Sequence, residues 1–182
     1  MSTPRLSATP QLISHRLDLP DGIDCPVEHL LLVAGPLGLR AVLWPNDLDG
    51  SRAKHRVPLH STTEGTSEVI ELSAKQLTQY FLGGRTEFDL PLDPIGTPFQ
   101  KEVWFGLARI PFGQTTSYGK QAVELGRPSA VRAVASANGR NPLSIVLPCH
   151  RIVGADGSLT GFAAGLEAKA WLLRHEGSAL FA

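Results

Sequence analysis

The chain has 182 residues, 42% of them hydrophobic and 19% charged, with a formal net charge of zero, an ordinary composition for a folded globular protein of one domain or two small ones. No stretch of about 18 consecutive apolar residues occurs, and Met1 to Pro10 lacks a basic region followed by an apolar one, which excludes a membrane span and a secretory signal and leads us to expect a cytoplasmic protein. Two cysteines far apart, Cys25 and Cys149, exclude a disulfide framework and fit a reducing compartment.

The neutral total hides an asymmetry. Residues 1–91 hold 8 Lys/Arg against 11 Asp/Glu, residues 92–182 hold 9 against 6, and residues 117–151 alone hold 5 against 1. Basic charge is therefore concentrated around Cys149, as an anionic partner would require.

In chain order, residues 1 to about 24 show no sustained period apart from one expected strand over Gln11 to Leu17. His29–Ala34 and Leu37–Trp44 are apolar runs separated by Gly35-Pro36, a hairpin signature. Asn46 to Thr66 is polar and turn-rich, with room for one short strand around Arg56 to Leu59. Ser73 to Leu82 predicts a helix with Ser73 and Gln76 as a capping box and Gly83-Gly84 as its stop. An α+β amino-terminal domain over residues 1–91 follows, and the proline-rich stretch 89–96 predicts an extended linker.

The second domain, 92–182, opens on Thr97-Pro98-Phe99-Gln100: a cap, a proline at the first helical position and a capping-box glutamine. Phe99, Val103, Trp104 and Leu107 follow at helical spacing and read as core. Two short helices, Ser117–Leu125 and Ser129–Asn138, flank Gly126-Arg127-Pro128. They form a helix-turn-helix pattern over about 117–138. The second carries small side chains at Ala130, Ala133 and Ala137, with Arg132 between them.

Ile145-Val146-Leu147-Pro148 predicts a short buried strand, closed by a proline that cannot continue a ladder. It delivers Cys149, His150 and Arg151. A thiol reacts as thiolate, with a free pKa of about 8.5, and neighbouring imidazole or cationic groups raise the thiolate fraction. Residues 154–165 are a glycine-rich loop long enough to wall the thiol, and Glu167 to Glu176 predicts a closing helix with Leu166, Ala170 and Leu173 inward. No nucleotide-cofactor motif is present. Cys25 and His29 have metal-ligand chemistry, but a closed site needs four ligands and His15, His55 and His60 are the remaining candidates; the expectation is no metal, with Cys25 structural.

These motifs in this order resemble the O6-alkylguanine-DNA alkyltransferases, the methylated-DNA–protein-cysteine methyltransferases. The resemblance rests on Thr97-Pro98-Phe99-Gln100, Ile110-Pro111-Phe112-Gly113, Thr116-Ser117-Tyr118-Gly119, Arg132-Ala133-Val134, Ala137-Asn138-Gly139, Asn141-Pro142, Pro148-Cys149-His150-Arg151, Gly161-Phe162 and Leu172 to Gly177. Before residue 90 it is loose. It implies a small amino-terminal α/β domain with a ribonuclease H-like sheet and a mainly helical carboxy-terminal domain, α+β overall.

The activity implied is a one-way transfer of the alkyl group from the 6-oxygen of guanine, or the 4-oxygen of thymine, to Cys149, without a cofactor. By resemblance, Cys149, His150 and Glu176 form a relay, Asn141 braces the active-site turn, and Tyr118, Phe162, Ala163 and Ala164 line the substrate pocket. Tyr118, Arg132, Ala130, Ala133, Ala137 and Arg151 are the implied DNA contacts, the small-residue helix riding in the minor groove while Arg132 fills the place of a flipped nucleotide. Two rivals remain: a lesion-binding relative that does not react, in which the cysteine is replaced, and an unrelated thiol enzyme, which would need an oxyanion hole or a resolving CxxC.

Overall fold

The computed structural model describes residues 11–48 and 57–179. Strands β1 (Leu12–Asp18), β2 (His29–Gly35), β3 (Gly38–Leu43) and β4 (Thr62–Glu64) form one sheet in the order β3-β2-β1-β4. The β2–β3 hairpin and the β1–β2 pair are antiparallel; β4 joins β1 in parallel. β2 alternates between two buried faces, Leu30, Leu32 and Ala34 entering the main core while Val33 packs with Leu12, Ala41, Leu43 and Val57. A strand buried on both sides loses its polar alternation, which is why this run reads as continuously apolar.

Several expected boundaries shift. Of the strand expected around Arg56 to Leu59, Arg56 lies outside the described residues and Leu59 begins a 3-10 turn; the strand is β4, later in the chain. The first helix, α1, runs over Glu68–Phe81, five residues earlier than the apparent capping box indicated. Its cap is Ser67, which accepts from Ile70 N, and Glu68 and Glu71 favour the positive end of the helix dipole. Ser73 instead donates to the Val69 carbonyl, and the Gln76 amide pairs in both directions with the Asp89 backbone.

The 89–96 stretch is extended but pinned. Leu39 N donates to the Pro91 carbonyl at 2.7 Å, Asp93 N donates to the Leu39 carbonyl at 2.9 Å, and Arg40 pairs with Asp93 at 2.8 Å. Val42 N further donates to the Pro142 carbonyl at 2.8 Å. Two later segments therefore lie along the outer edge of β3.

The helices that follow are α2 (Pro98–Leu107), α3 (Tyr118–Glu124), α4 (Val131–Asn138) and α5 (Leu166–His175). α2 has the expected cap, Thr97 and Gln100 bonding each other's backbone N–H. Val103, Ala122, Val134 and Ala137 knit α2, α3 and α4 together, and Trp104 Nε1 donates to the Ala137 carbonyl at 2.7 Å. Two short parallel strands, β5 (Thr116–Ser117) and β6 (Ile152–Val153), tie the start of α3 to the residues just after Cys149. One core cluster crosses both halves, joining Leu30, Trp44, Tyr80 and Phe81 to Trp104, Leu147, Ile152, Phe162 and Leu172.

No strand forms over 145–148. Ile145 adopts φ 71°, a left-handed conformation rare for a β-branched residue, and Leu147 N donates back to the Leu143 carbonyl. The Asn141 side chain does the work of a neighbouring strand, its Nδ2 donating to the Leu147 carbonyl at 2.7 Å and its Oδ1 accepting from Leu143 N at 3.0 Å. The apolar run is buried as expected, but as a braced turn. Among the described residues no helix is long and apolar enough to cross a membrane.

Candidate active site

That turn presents Cys149, half-buried, at the start of a 3-10 turn over Cys149–Arg151. His150 is completely buried, and its Nε2 lies 2.8 Å from Glu176 Oε1. Glu176 caps α5 and is 4% exposed, so a charge there must be paired to persist. Its oxygens collect five hydrogen bonds: Oε1 from His150, from the Tyr80 hydroxyl at 2.8 Å and from Arg151 Nη2 at 3.0 Å; Oε2 from Arg151 Nε at 2.8 Å and from Gly113 N at 3.2 Å.

Gly113 sits at φ +74°, and a Cβ there would lie 2.7 Å from the Glu176 carbonyl oxygen, so only glycine delivers this amide without displacement. Burial alone would push the Glu176 carboxyl up. His150 and Arg151 outweigh it and hold the group well below the usual carboxylate range.

Burial pushes the His150 imidazole down, against the pull of Glu176. The shift favours the neutral ring, and because Nε2 faces a carboxylate acceptor, the network assigns the proton to Nε2. Nδ1, unpartnered among the described side chains, is then a lone pair able to take a proton. Carboxylate and imidazole are thus paired as two members of a triad, with the thiol on the preceding residue of the chain.

Lys169, like Tyr80, is a residue that sequence reasoning missed. Its side chain is fully buried on α5, and Nζ donates to the Ile152 carbonyl at 2.5 Å and the Thr160 carbonyl at 2.7 Å. Burial pushes the ammonium down to about 8, opposed by the negative charge of Cys149. A cation in electrostatic reach of the thiol favours its thiolate. The inward face of α5 is Ala168, Lys169, Leu172 and Leu173, while Leu166 is 47% exposed; a stripe at 168, 169, 172 and 173 would have marked the lysine as interior.

Three expected contacts stand elsewhere. Arg151 is 5% exposed and bound to Glu176 and, through Nη1 at 2.6 Å, to the Ile110 carbonyl, so it supports the relay rather than an external surface. Ala137 is buried in the α2–α4 seam, packed with Val103, Ala122 and Val134, whereas Ala133 one turn earlier is exposed. Ala164 is packed in the core, and it is Ala163 that lines the cavities beside Cys149.

Of the remaining expected residues, Tyr118, Phe162 and Ala163 border a groove of about 620 Å³ together with Ser136, Arg140 and Thr160. Thr160 Oγ1 donates to the Tyr118 hydroxyl at 3.3 Å, and Phe162 packs edge-on to Trp44 and His150. Arg132, Ala133 and Ser136 form the exposed face of α4, with Ala130 half-exposed at its start and Arg140 exposed just beyond its end. Among the described residues no cluster of three or more His, Cys, Asp or Glu is placed to hold a metal ion, and Cys25 is half-buried.

Residues 98–178 match the family model described as 6-O-methylguanine DNA methyltransferase, DNA binding domain, and residues 22–94 match its ribonuclease-like domain. The chain is 42% identical over 156 residues to the methylated-DNA–protein-cysteine methyltransferase of Methanosarcina barkeri, covering 86% of this chain and 95% of that one. With the enzyme of the same name from Salmonella typhimurium it shares 46% identity over 144 residues, 76% of this chain and 83% of the relative. Among solved structures, the Mycobacterium tuberculosis O6-methylguanine methyltransferase superposes with a TM-score of 0.75 at 36% identity, covering 91% and 92% of the two chains. The Mycobacterium tuberculosis OGT in complex with DNA gives 0.73 at 37%, covering 93% and 99%.

Proposed function

The chain belongs to the methylated-DNA–protein-cysteine methyltransferases, and from that premise we propose that it repairs O6-alkylguanine, and O4-alkylthymine, in duplex DNA by moving the alkyl group once and irreversibly to Cys149. DNA repair by alkyl transfer to cysteine is the family's activity, and DNA is the partner. In this reading the protein is a cytoplasmic monomer that approaches through the minor groove and needs no cofactor.

The observation that carries the reading is the buried His150 joined to Glu176 beside a half-exposed thiol. His150 Nδ1 accepts the thiol proton, through a water, and Glu176 holds the ring in the tautomer that can do so. Sulfur then attacks the alkyl carbon in line with the departing oxygen. The C–S bond forms as the C–O bond breaks, and the guanine leaves with the proton. Arg151 holds Glu176 ionised, Lys169 favours the thiolate, and Asn141 fixes the turn that aims the sulfur.

The target atom is inaccessible within stacked duplex. The groove beside Tyr118, Phe162 and Ala163 receives the swung-out nucleotide, Arg132 takes its place in the stack, and Ala130 and Ala133 leave room for the sugar walls. The exposed cations of 117–140, Lys120, Arg127, Arg132 and Arg140, support binding of the phosphates.

The test is a duplex carrying labelled O6-methylguanine, followed by intact-protein mass and peptide mapping. One methyl per molecule on Cys149 is expected and none on Cys25, whose thiol burial pushes up. Label on Cys25, or removal of the methyl by Cys149→Ala, overturns the assignment.

A further inference from the structure

Two buried polar atoms beside the thiol take no part in the relay. Ser144 Oγ and Asn138 Oδ1 have no hydrogen-bond partner among the described side chains, although their residues are only 1% and 5% exposed. Both residues line, together with Cys149, Asn141, Phe162 and Ala163, a cavity of about 10 Å³, room for one water-sized group. This cavity shares Tyr118, Gly139, Phe162 and Ala163 with the larger groove. It lies at the sulfur end of the path a flipped base would follow.

The two atoms differ in sign. Asn138 Nδ2 donates to Gln121 Oε1 at 2.6 Å, and Gln121 Nε2 donates to the Val103 carbonyl at 3.2 Å. That chain fixes both amides, leaving Asn138 Oδ1 as a pure acceptor. The Ser144 hydroxyl can donate. An unpaired buried donor and an unpaired buried acceptor on residues lining one cavity are costly unless a ligand group completes both. A hydroxyl does so, giving its proton to Asn138 and accepting from Ser144.

We propose, resting on the alkyl-transfer reading, that this cavity is a subsite for a hydroxyl on the second carbon of the alkyl group, which makes O6-(2-hydroxyethyl)guanine a preferred substrate among adducts larger than methyl. The chemistry is that of methyl transfer. The bond from Sγ to the first carbon forms, the bond from that carbon to the 6-oxygen breaks, its electron pair and the thiol proton go to guanine, and the hydroxyl passes unchanged into S-(2-hydroxyethyl)cysteine. An n-propyl chain of the same length leaves both polar atoms unpaired and shuts water out. A carboxymethyl group brings an anion against the Asn138 acceptor.

Single-turnover rates on duplexes carrying methyl, 2-hydroxyethyl, n-propyl or carboxymethyl at one guanine test the proposal. The expected wild-type ratio of 2-hydroxyethyl to n-propyl is about ten or more, with carboxymethyl slower than 2-hydroxyethyl, and Ser144→Ala should reduce the first ratio to about two. The wild-type comparison needs no variant, so a folding defect in Ser144→Ala leaves the test intact. A wild-type ratio near one, or a high ratio that survives Ser144→Ala, overturns the subsite. Absence of methyl transfer to Cys149 would instead overturn the alkyl-transfer reading itself.

Discussion

Replacing Glu176 with glutamine keeps the shape of the side chain and removes its charge. The carboxylate accepts five hydrogen bonds, two from Arg151, and Arg151 is itself 5% exposed. In Glu176→Gln one oxygen becomes an amide NH₂ facing donors, and the guanidinium loses its buried counter-charge. Breaking a buried pair from one side costs about 3–5 kcal/mol, which for a chain of this size corresponds to a melting temperature lower by about 10 °C. Urea denaturation followed by tryptophan fluorescence at pH 7 measures it.

The double variant Arg151→Met, Glu176→Gln buries no unpaired charge and should recover at least about 2 kcal/mol of the loss. The pH dependence has a definite sign. The folded carboxyl lies well below the usual range, so its contribution is complete above the unfolded pKa of about 4.3 and is lost as pH falls from there toward the folded value. Wild type and Glu176→Gln should therefore converge in acid. A single-variant loss under about 1 kcal/mol, or a double variant no better than the sum of the singles, would refute this account of the relay.

Arg132→Ala should slow repair of duplex DNA by about ten-fold or more, from a stacking loss of roughly 1–3 kcal/mol, and leave reaction with free O6-alkylguanine within about two-fold; equal losses on both substrates would move Arg132 into the chemistry or the fold. Ala164→Gly should lower stability by about 1 kcal/mol, through lost packing and added backbone freedom, and leave the methyl-to-benzyl rate ratio unchanged, because Ala164 is packed in the core. A ratio that moves several-fold would mean that this methyl reaches the substrate.

The features legible in the sequence were those written locally. Thr97-Pro98-Phe99-Gln100 states its own helix start, Gly35-Pro36 its hairpin, and Pro148-Cys149-His150-Arg151 its chemistry. What escaped depends on partners distant in the chain. Tyr80 meets Glu176 across 96 positions, and nothing around Tyr80 distinguishes it from a core aromatic. Arg151 looked like a surface cation until Glu176 and the Ile110 carbonyl surrounded it. The turn before Cys149 resembled a strand because burial is visible in composition, whereas the Asn141 side chain standing in for backbone is not. Ser73 and Gln76 satisfied a capping pattern by spacing alone and serve other bonds.

An open sheet edge is a row of unused backbone donors and acceptors on which another polypeptide can add a strand. In this protein the β3 edge meets the Pro91–Asp93 segment at Leu39 and Pro142 at Val42. The first of these segments leads into the helical half, and the second immediately precedes the Ser144–Leu147 turn that aims Cys149. The contacts that shield the sheet from edge-to-edge aggregation are thus the same ones that moor the reactive turn, and a chain whose active-site turn came loose would also uncover a template for self-association.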